Sequence, residues 1–259
     1  MQLENKVALI TGAGSGIGAG TARVFAREGA KVAVVDVRLA TASQVAADIR
    51  EAGGVAEAFA ADVADEEQIR TAMKRAVERF GGLNVVYANA GINGMLAPIE
   101  EITLDEWHAA IETNLTGTFL TVKHAISHLR EAGGGSIITT ASLHGTALFS
   151  LAGYGAYGAS KAGQVGFVKM AAAELARWKI RVNAILPGGV ETNIHQSTFA
   201  RNLELITWDI KMPEPFPPLT EGRATPEEIG AVALFLASDA SRHVTGATIY
   251  CDAGISLYR

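Results

Sequence analysis

Lys6-Val7-Ala8-Leu9-Ile10-Thr11-Gly12-Ala13-Gly14-Ser15-Gly16-Ile17-Gly18 joins a short apolar run to a glycine-rich turn, and a helical stretch follows to about Glu28. The unbroken apolar run predicts a strand buried on both faces. Glycines let the backbone turn tightly and approach a pyrophosphate, and the helix behind them supplies free N–H groups and a partial positive charge. A second apolar strand, Lys31 to Val35, ends in Asp36, 18 residues beyond Gly18. That is close to the spacing of an acid that grips the adenosine ribose hydroxyls of a dinucleotide. Its carboxylate repels a 2′-phosphate, which points to NAD over NADP. Ser15 and Val37 bring no cation near that phosphate, whereas Arg38 either swings toward it or lies solvated at the start of the next helix.

Downstream, strand-like and helix-like segments alternate. Val55 to Ala60 and Val85 to Ala88 read as strands around a helix from about Asp65 to Phe80. A longer helix is expected from about Leu104 to Arg130, then a strand over Ser136 to Thr140. Helix returns from about Tyr154 to Trp178 and strand over Arg181 to Leu186, halted by Pro187-Gly188. Thr225 is placed to cap a helix reaching Ala237 with Pro226 at its first position, and Ala247 to Cys251 closes the sheet. This rhythm implies a doubly wound α/β fold: a parallel sheet with helices on both faces, in a single domain over 1–259. Glu191 to Gly222 breaks it, with no strand pattern and four of the seven prolines, and reads as a substrate lid at about 191–222.

Composition narrows the function. Hydrophobic residues make up 49% of the 259 positions and charged residues 19%, which assures a sizeable core. The net charge of −5 argues against nucleic-acid binding, which favours a basic stripe. Cys251 is the single cysteine, so neither an internal disulfide nor a cysteine zinc site is available. His124 and His128 stand four apart without an accompanying acid–histidine cluster, and no metal site is expected. Met1 to Lys6 lacks the features of a secretory signal and no apolar run is long enough to span a membrane, so the expectation is a cytoplasmic protein.

The chemistry is concentrated in Tyr157-Gly158-Ala159-Ser160-Lys161, which puts a phenol and an ammonium four residues apart on one helix face. A neighbouring cation favours phenolate, so the pair is expected to pull the tyrosine down from its usual range and make it a proton donor and acceptor.

Together with the glycine-rich turn, five further motifs make the whole chain resemble the classical short-chain dehydrogenase/reductase family: Asp62-Val63; Ala88-Asn89-Ala90-Gly91; Asn114 with Ser142; Tyr157 with Lys161; and Pro187-Gly188-Gly189-Val190-Glu191-Thr192. The resemblance implies an oxidoreductase interconverting a secondary alcohol and a ketone. In it Gly12, Ser15, Gly16, Ile17, Gly18, Asp36, Asp62, Val63, Asn89, Ala90 and Gly91 bind the dinucleotide. Pro187, Gly188, Val190 and Thr192 hold the nicotinamide. Tyr157 is the acid/base, Lys161 lowers its pKa and bonds the nicotinamide ribose, Ser142 orients the substrate oxygen, and Asn114 holds a water near Lys161. The Ser142–Tyr157 segment is slightly longer than is usual in the family. This makes His144, Phe149, Leu151 and Tyr154 one substrate wall, with His195, Gln196, Trp208 and Phe216 as the opposing lid. A homotetramer is also implied. The alternatives are an NADPH-dependent ketoreductase and an NAD-binding sensor without turnover.

Overall fold

In a computed structural model the described residues are 1–146, 151–207, 219 and 222–258. Seven parallel strands form the central sheet: β1 (Val7–Thr11), β2 (Lys31–Asp36), β3 (Val55–Ala60), β4 (Val85–Ala88), β6 (Gly135–Thr140), β7 (Ile180–Pro187) and β9 (Thr248–Cys251). Their order is β3-β2-β1-β4-β6-β7-β9. All five residues of β1 are buried, as its apolar run predicts. On one face α3 (Glu66–Phe80), α5 (Gly117–Glu131) and α6 (Gly155–Leu175) cover the sheet through Ile69, Met73, Leu129 and Val168. On the other, α1 (Gly16–Arg27), α2 (Leu39–Glu51) and α7 (Pro226–Ala237) contribute Phe25, Val45, Ile49 and Leu236. The expected Thr225 cap forms, as a capping box with Glu228 behind Pro226, and Asp65 caps α3 by accepting from the Glu67 and Gln68 N–H groups. No helix among the described residues is long and apolar enough to cross a membrane.

Three sequence expectations need correction. The Leu104–Arg130 helix is divided into α4 (Leu104–Ile111), a π-helical turn over Glu112–Thr116, and α5. Such a turn inserts one extra residue, a tertiary effect without a side-chain pattern. The 191–222 segment does contain a strand: β8 (Thr198–Ala200) pairs in parallel with β5 (Gly94–Leu96). Three residues are too few to show a period-two pattern, and the partner lies about a hundred positions away. The Tyr154–Trp178 helix starts at Gly155, with Tyr154 at its N-cap, and gives way to a 3₁₀ turn over Ala176–Trp178. Phe149, Trp208, Phe216 and the four lid prolines lie outside the described residues.

Candidate active site

β1 is flanked by β2 and β4, so the strand order reverses there and the carboxyl ends of the strands diverge into a crevice. A cleft of about 580 Å³ occupies it. The strand ends deliver its residues: Gly12 after β1, Asp36 from β2, Asp62 after β3, Asn89 after β4, Ser142 after β6 and Pro187 from β7.

At the nucleotide end, α1 starts at Gly16 with no side-chain cap on its N–H groups and no acid in its first turn. That leaves the helix end available to an anion. Gly12 has φ +62°, and a Cβ there would lie 2.7 Å from Ala90 Cα. A Cβ on Gly18 would come within 2.3 Å of the Gly12 carbonyl oxygen. Both glycines are therefore required for the turn to stand this close to its neighbours. Ser15, Gly16 and Ile17 line the cleft, whereas Gly18 lies behind the turn. Asp36 is buried; its Oδ2 accepts from the Gly14 N–H at 2.9 Å and its Oδ1 from the Arg38 N–H at 3.0 Å. The Arg38 side chain also reaches Asp36, with Nε 3.9 Å from Oδ1, and its guanidinium donates weakly to Gln196 Oε1 at 3.4 Å.

Asp62, Val63, Ala90 and Gly91 line the middle. The Asn89 amide is occupied by protein: Nδ2 donates to the Thr11 carbonyl at 3.0 Å, and Oδ1 accepts from Thr140 Oγ1 at 2.9 Å. Asn89 thus holds β1, β4 and β6 in register at the cleft floor. Pro187, Gly188, Val190 and Thr192 form the far wall, and Thr192 packs over Gly16. An uncapped helix end, a glycine-rich turn, an acid at the end of β2 and a continuous cleft fit a dinucleotide.

At the other end Ser142, Tyr157 and Lys161 converge, all buried. Ser142 hydrogen-bonds the Tyr157 phenol. Lys161 Nζ lies 5.6 Å from the centre of the Tyr157 ring and donates to the Thr140 carbonyl at 2.8 Å. Burial pushes the Tyr157 phenol up to about 12, aided by the neighbouring Tyr154 and opposed by the Ser142 hydrogen bond. Burial also brings the Lys161 ammonium down to about 7. The expected lowering of the tyrosine by lysine is therefore not found: burial dominates, and the one opposing influence is the Ser142 hydrogen bond.

Asn114 does not line the cleft. Fully buried in the π-turn, its Oδ1 accepts from the Ile92 N–H at 2.8 Å, and its Nδ2 donates to the Ile92 carbonyl and to Ser160 Oγ. It nevertheless stays near Lys161, since both Asn114 Oδ1 and Lys161 Nζ lie within 3.3 Å of the point a Cβ on Gly91 would occupy. His144 and Tyr154 both line the cleft, their rings stacked at 4.5 Å and 6° and both edge-on to Tyr157. Gln196 lines the cleft, while His195 and Leu151 do not. Asn93, Thr113 and Arg223, which also line it, carry no motif of their own in the sequence. His124 bonds Glu66 at 3.1 Å, and no cluster of three or more metal-ligating side chains occurs among the described residues.

Fold and cleft together define a dinucleotide-binding α/β oxidoreductase. A family model described as Enoyl-(Acyl carrier protein) reductase matches residues 12–256. The chain is 38% identical to D-threitol dehydrogenase of Mycolicibacterium smegmatis, over 99% of this chain and 95% of that one. It is 39% identical to cis-4-hydroxycyclohexanecarboxylate dehydrogenase of Sinomonas cyclohexanicum, over 96% of each. The crystal structure of a 3-ketoacyl-ACP reductase from Sinorhizobium meliloti 1021 superposes with a TM-score of 0.91 at 42% identity, covering 98% of this chain and all of that one. The chain belongs to the short-chain dehydrogenase/reductase family, oxidoreductases that act on CH–OH groups with a nicotinamide dinucleotide.

Proposed function

We propose that the chain is an NAD(H)-dependent dehydrogenase that interconverts a small secondary alcohol and its ketone. The observation that carries this reading is that Ser142, Tyr157 and Lys161 converge on the same cleft whose other end holds the glycine turn and Asp36. Preference for NAD rests on the buried Asp36 carboxylate, which opposes a 2′-phosphate. The bound nicotinamide supplies the hydride acceptor in oxidation and the hydride donor in reduction. Tyr157 takes the proton of the substrate hydroxyl as the hydride leaves the carbinol carbon, and returns a proton to the carbonyl oxygen in the reverse direction. Its high proton affinity keeps the phenol protonated, the form that reduction requires. For oxidation, the Ser142 hydrogen bond favours the phenolate. Ser142 orients the substrate oxygen. Lys161, with its proton affinity near neutrality, passes the proton onward, and Asn114 supports that path from the π-turn.

The stacked His144 and Tyr154 rings offer a flat wall suited to a compact ring or a short polyol, in keeping with the names of the two dehydrogenase relatives. The 191–222 segment is read as the lid. Exposed Phe119 on α5 and Met170 on α6 support a homotetramer packed through these helices, in a cytoplasmic protein. An NADPH-dependent ketoreductase is the second reading, favoured by Arg38 beside Asp36. A panel of alicyclic alcohols and polyols assayed with NAD and with NADP tests the proposal. Reduced nicotinamide should form with NAD and a compact secondary alcohol. Tight NAD binding without turnover across the panel would favour a sensor instead.

A further inference from the structure

Gln164 is a fully buried polar residue for which the acid/base chemistry has no use so far. It lies on α6 three positions beyond Lys161 and seven beyond Tyr157, so the three share one stripe of the helix. Its Nε2 donates to the main-chain carbonyl of Asn114 at 2.8 Å and to Thr118 Oγ1 at 2.6 Å. The Thr118 hydroxyl in turn donates to the same Asn114 carbonyl at 2.7 Å. Because a carbonyl oxygen only accepts, this contact fixes which end of the Gln164 amide is nitrogen. The amide oxygen Oε1 then points into the interior without a donor among the described residues. A buried acceptor left unpaired is destabilising, and native interiors satisfy such groups with protein or with water.

We propose that Gln164 is a positioning residue of the proton relay: it clamps the π-turn against α6 so that Asn114 stays beside Lys161, and its Oε1 holds a buried water. The links are continuous. Asn114 Nδ2 donates to Ser160 Oγ at 2.9 Å, and Ser160 Oγ donates to the Tyr157 carbonyl at 2.7 Å. Releasing the Asn114 carbonyl from Gln164 therefore loosens the shelf that holds Asn114, Ser160 and the Tyr157–Lys161 turn together. π-Turns recur where a helix has to present a functional group out of register, and this one would lose one of the two side-chain donors to its Asn114 carbonyl. The inference rests on Tyr157 and Lys161 being the acid/base pair.

Gln164→Met keeps the volume while removing the donors and the acceptor. In this variant the Kd for NAD should stay within about twofold of the parent, kcat should fall about ten- to a hundredfold, and the solvent deuterium isotope effect on kcat should increase. A folded variant with unchanged kcat and isotope effect overturns the proposal, as does a loss of kcat that only follows the folded fraction. Should the variant not fold, a crystal structure of the unaltered protein decides the question. An ordered water within about 3.2 Å of Gln164 Oε1 is expected, and an Oε1 facing only C–H groups refutes it. Tyr157→Phe, run in parallel, separates the two ideas: full turnover there defeats the acid/base assignment, while the water at Gln164 is judged on its own.

Discussion

On the proposed reading, replacing Asp36 by alanine removes a negative charge set against a 2′-phosphate. The carboxylate is 7% exposed, so its field is screened less than that of a surface acid. One unit charge about 5 Å away repels by about 3 kcal/mol at an effective dielectric of 20 and by about 0.8 kcal/mol in bulk water. Loss of the acid should therefore improve NADPH relative to NADH by roughly 5- to 150-fold. The same substitution leaves the Gly14 and Arg38 N–H groups without their acceptor, at about 1–3 kcal/mol. That cost falls on both dinucleotides, because it loosens the glycine turn itself. The Kd for NADH should thus weaken markedly, whereas that for NADPH should change little or improve, with Arg38 released from its acidic neighbour. Asp36→Asn, which keeps one acceptor for the turn, should shift selectivity with a smaller loss of NADH affinity. Titration of nicotinamide fluorescence with the parent and both variant proteins measures all six constants. A ratio of the two Kd values that stays within twofold of the parent in both variants would refute the electrostatic argument and give selectivity to Arg38 or another group.

Two further outcomes follow from packing and charge. Gly18→Ala drives a methyl to within 2.3 Å of the Gly12 carbonyl and 2.7 Å of Asn89 Nδ2. It should lower stability by about 1–3 kcal/mol and Tm by roughly 3–8 °C, and a melt within 1 °C of the parent would show that the turn has room to shift. Lys161 binds its proton less tightly folded, at about 7, than unfolded, at 10.5. The unfolded chain therefore holds more protons across that window, and Lys161 should make stability rise with pH from about 7 to 10.5. Denaturant midpoints at two pH values in that range should show a smaller rise in Lys161→Met, and an identical rise in both proteins would contradict the burial of the ammonium.

The parts of the fold that the sequence reveals are those written in local chemistry. An apolar run that must be buried, glycines that permit a turn and an acid at a strand end set β1, α1 and β2, and with them the crevice. Tyr157 and Lys161 declare themselves because helical spacing puts them on one face. What could not be read is tertiary. The β5–β8 pairing joins segments about a hundred residues apart. The π-turn exists because Asn114 has to reach Ile92 and Ser160 together. The proton affinities turn on burial: spacing alone brings a cation to the phenol, yet only packing reveals that both groups are desolvated enough for the phenol to rise and the ammonium to fall. Gln164 is illegible in the sequence for a similar reason, since a lone glutamine in a helix carries no pattern until its partners on the neighbouring turn are known.

The assignment of Tyr157 as acid/base is tested most directly by Tyr157→Phe, with turnover of the best alcohol and NAD affinity measured on the same preparation. The hydroxyl is removed while the buried ring remains. Turnover should drop by about 10²-fold or more, as expected when a positioned acid/base is lost, with the Kd for NAD within about twofold of the parent. A variant that keeps more than about a tenth of parental turnover with NAD still bound would contradict the account.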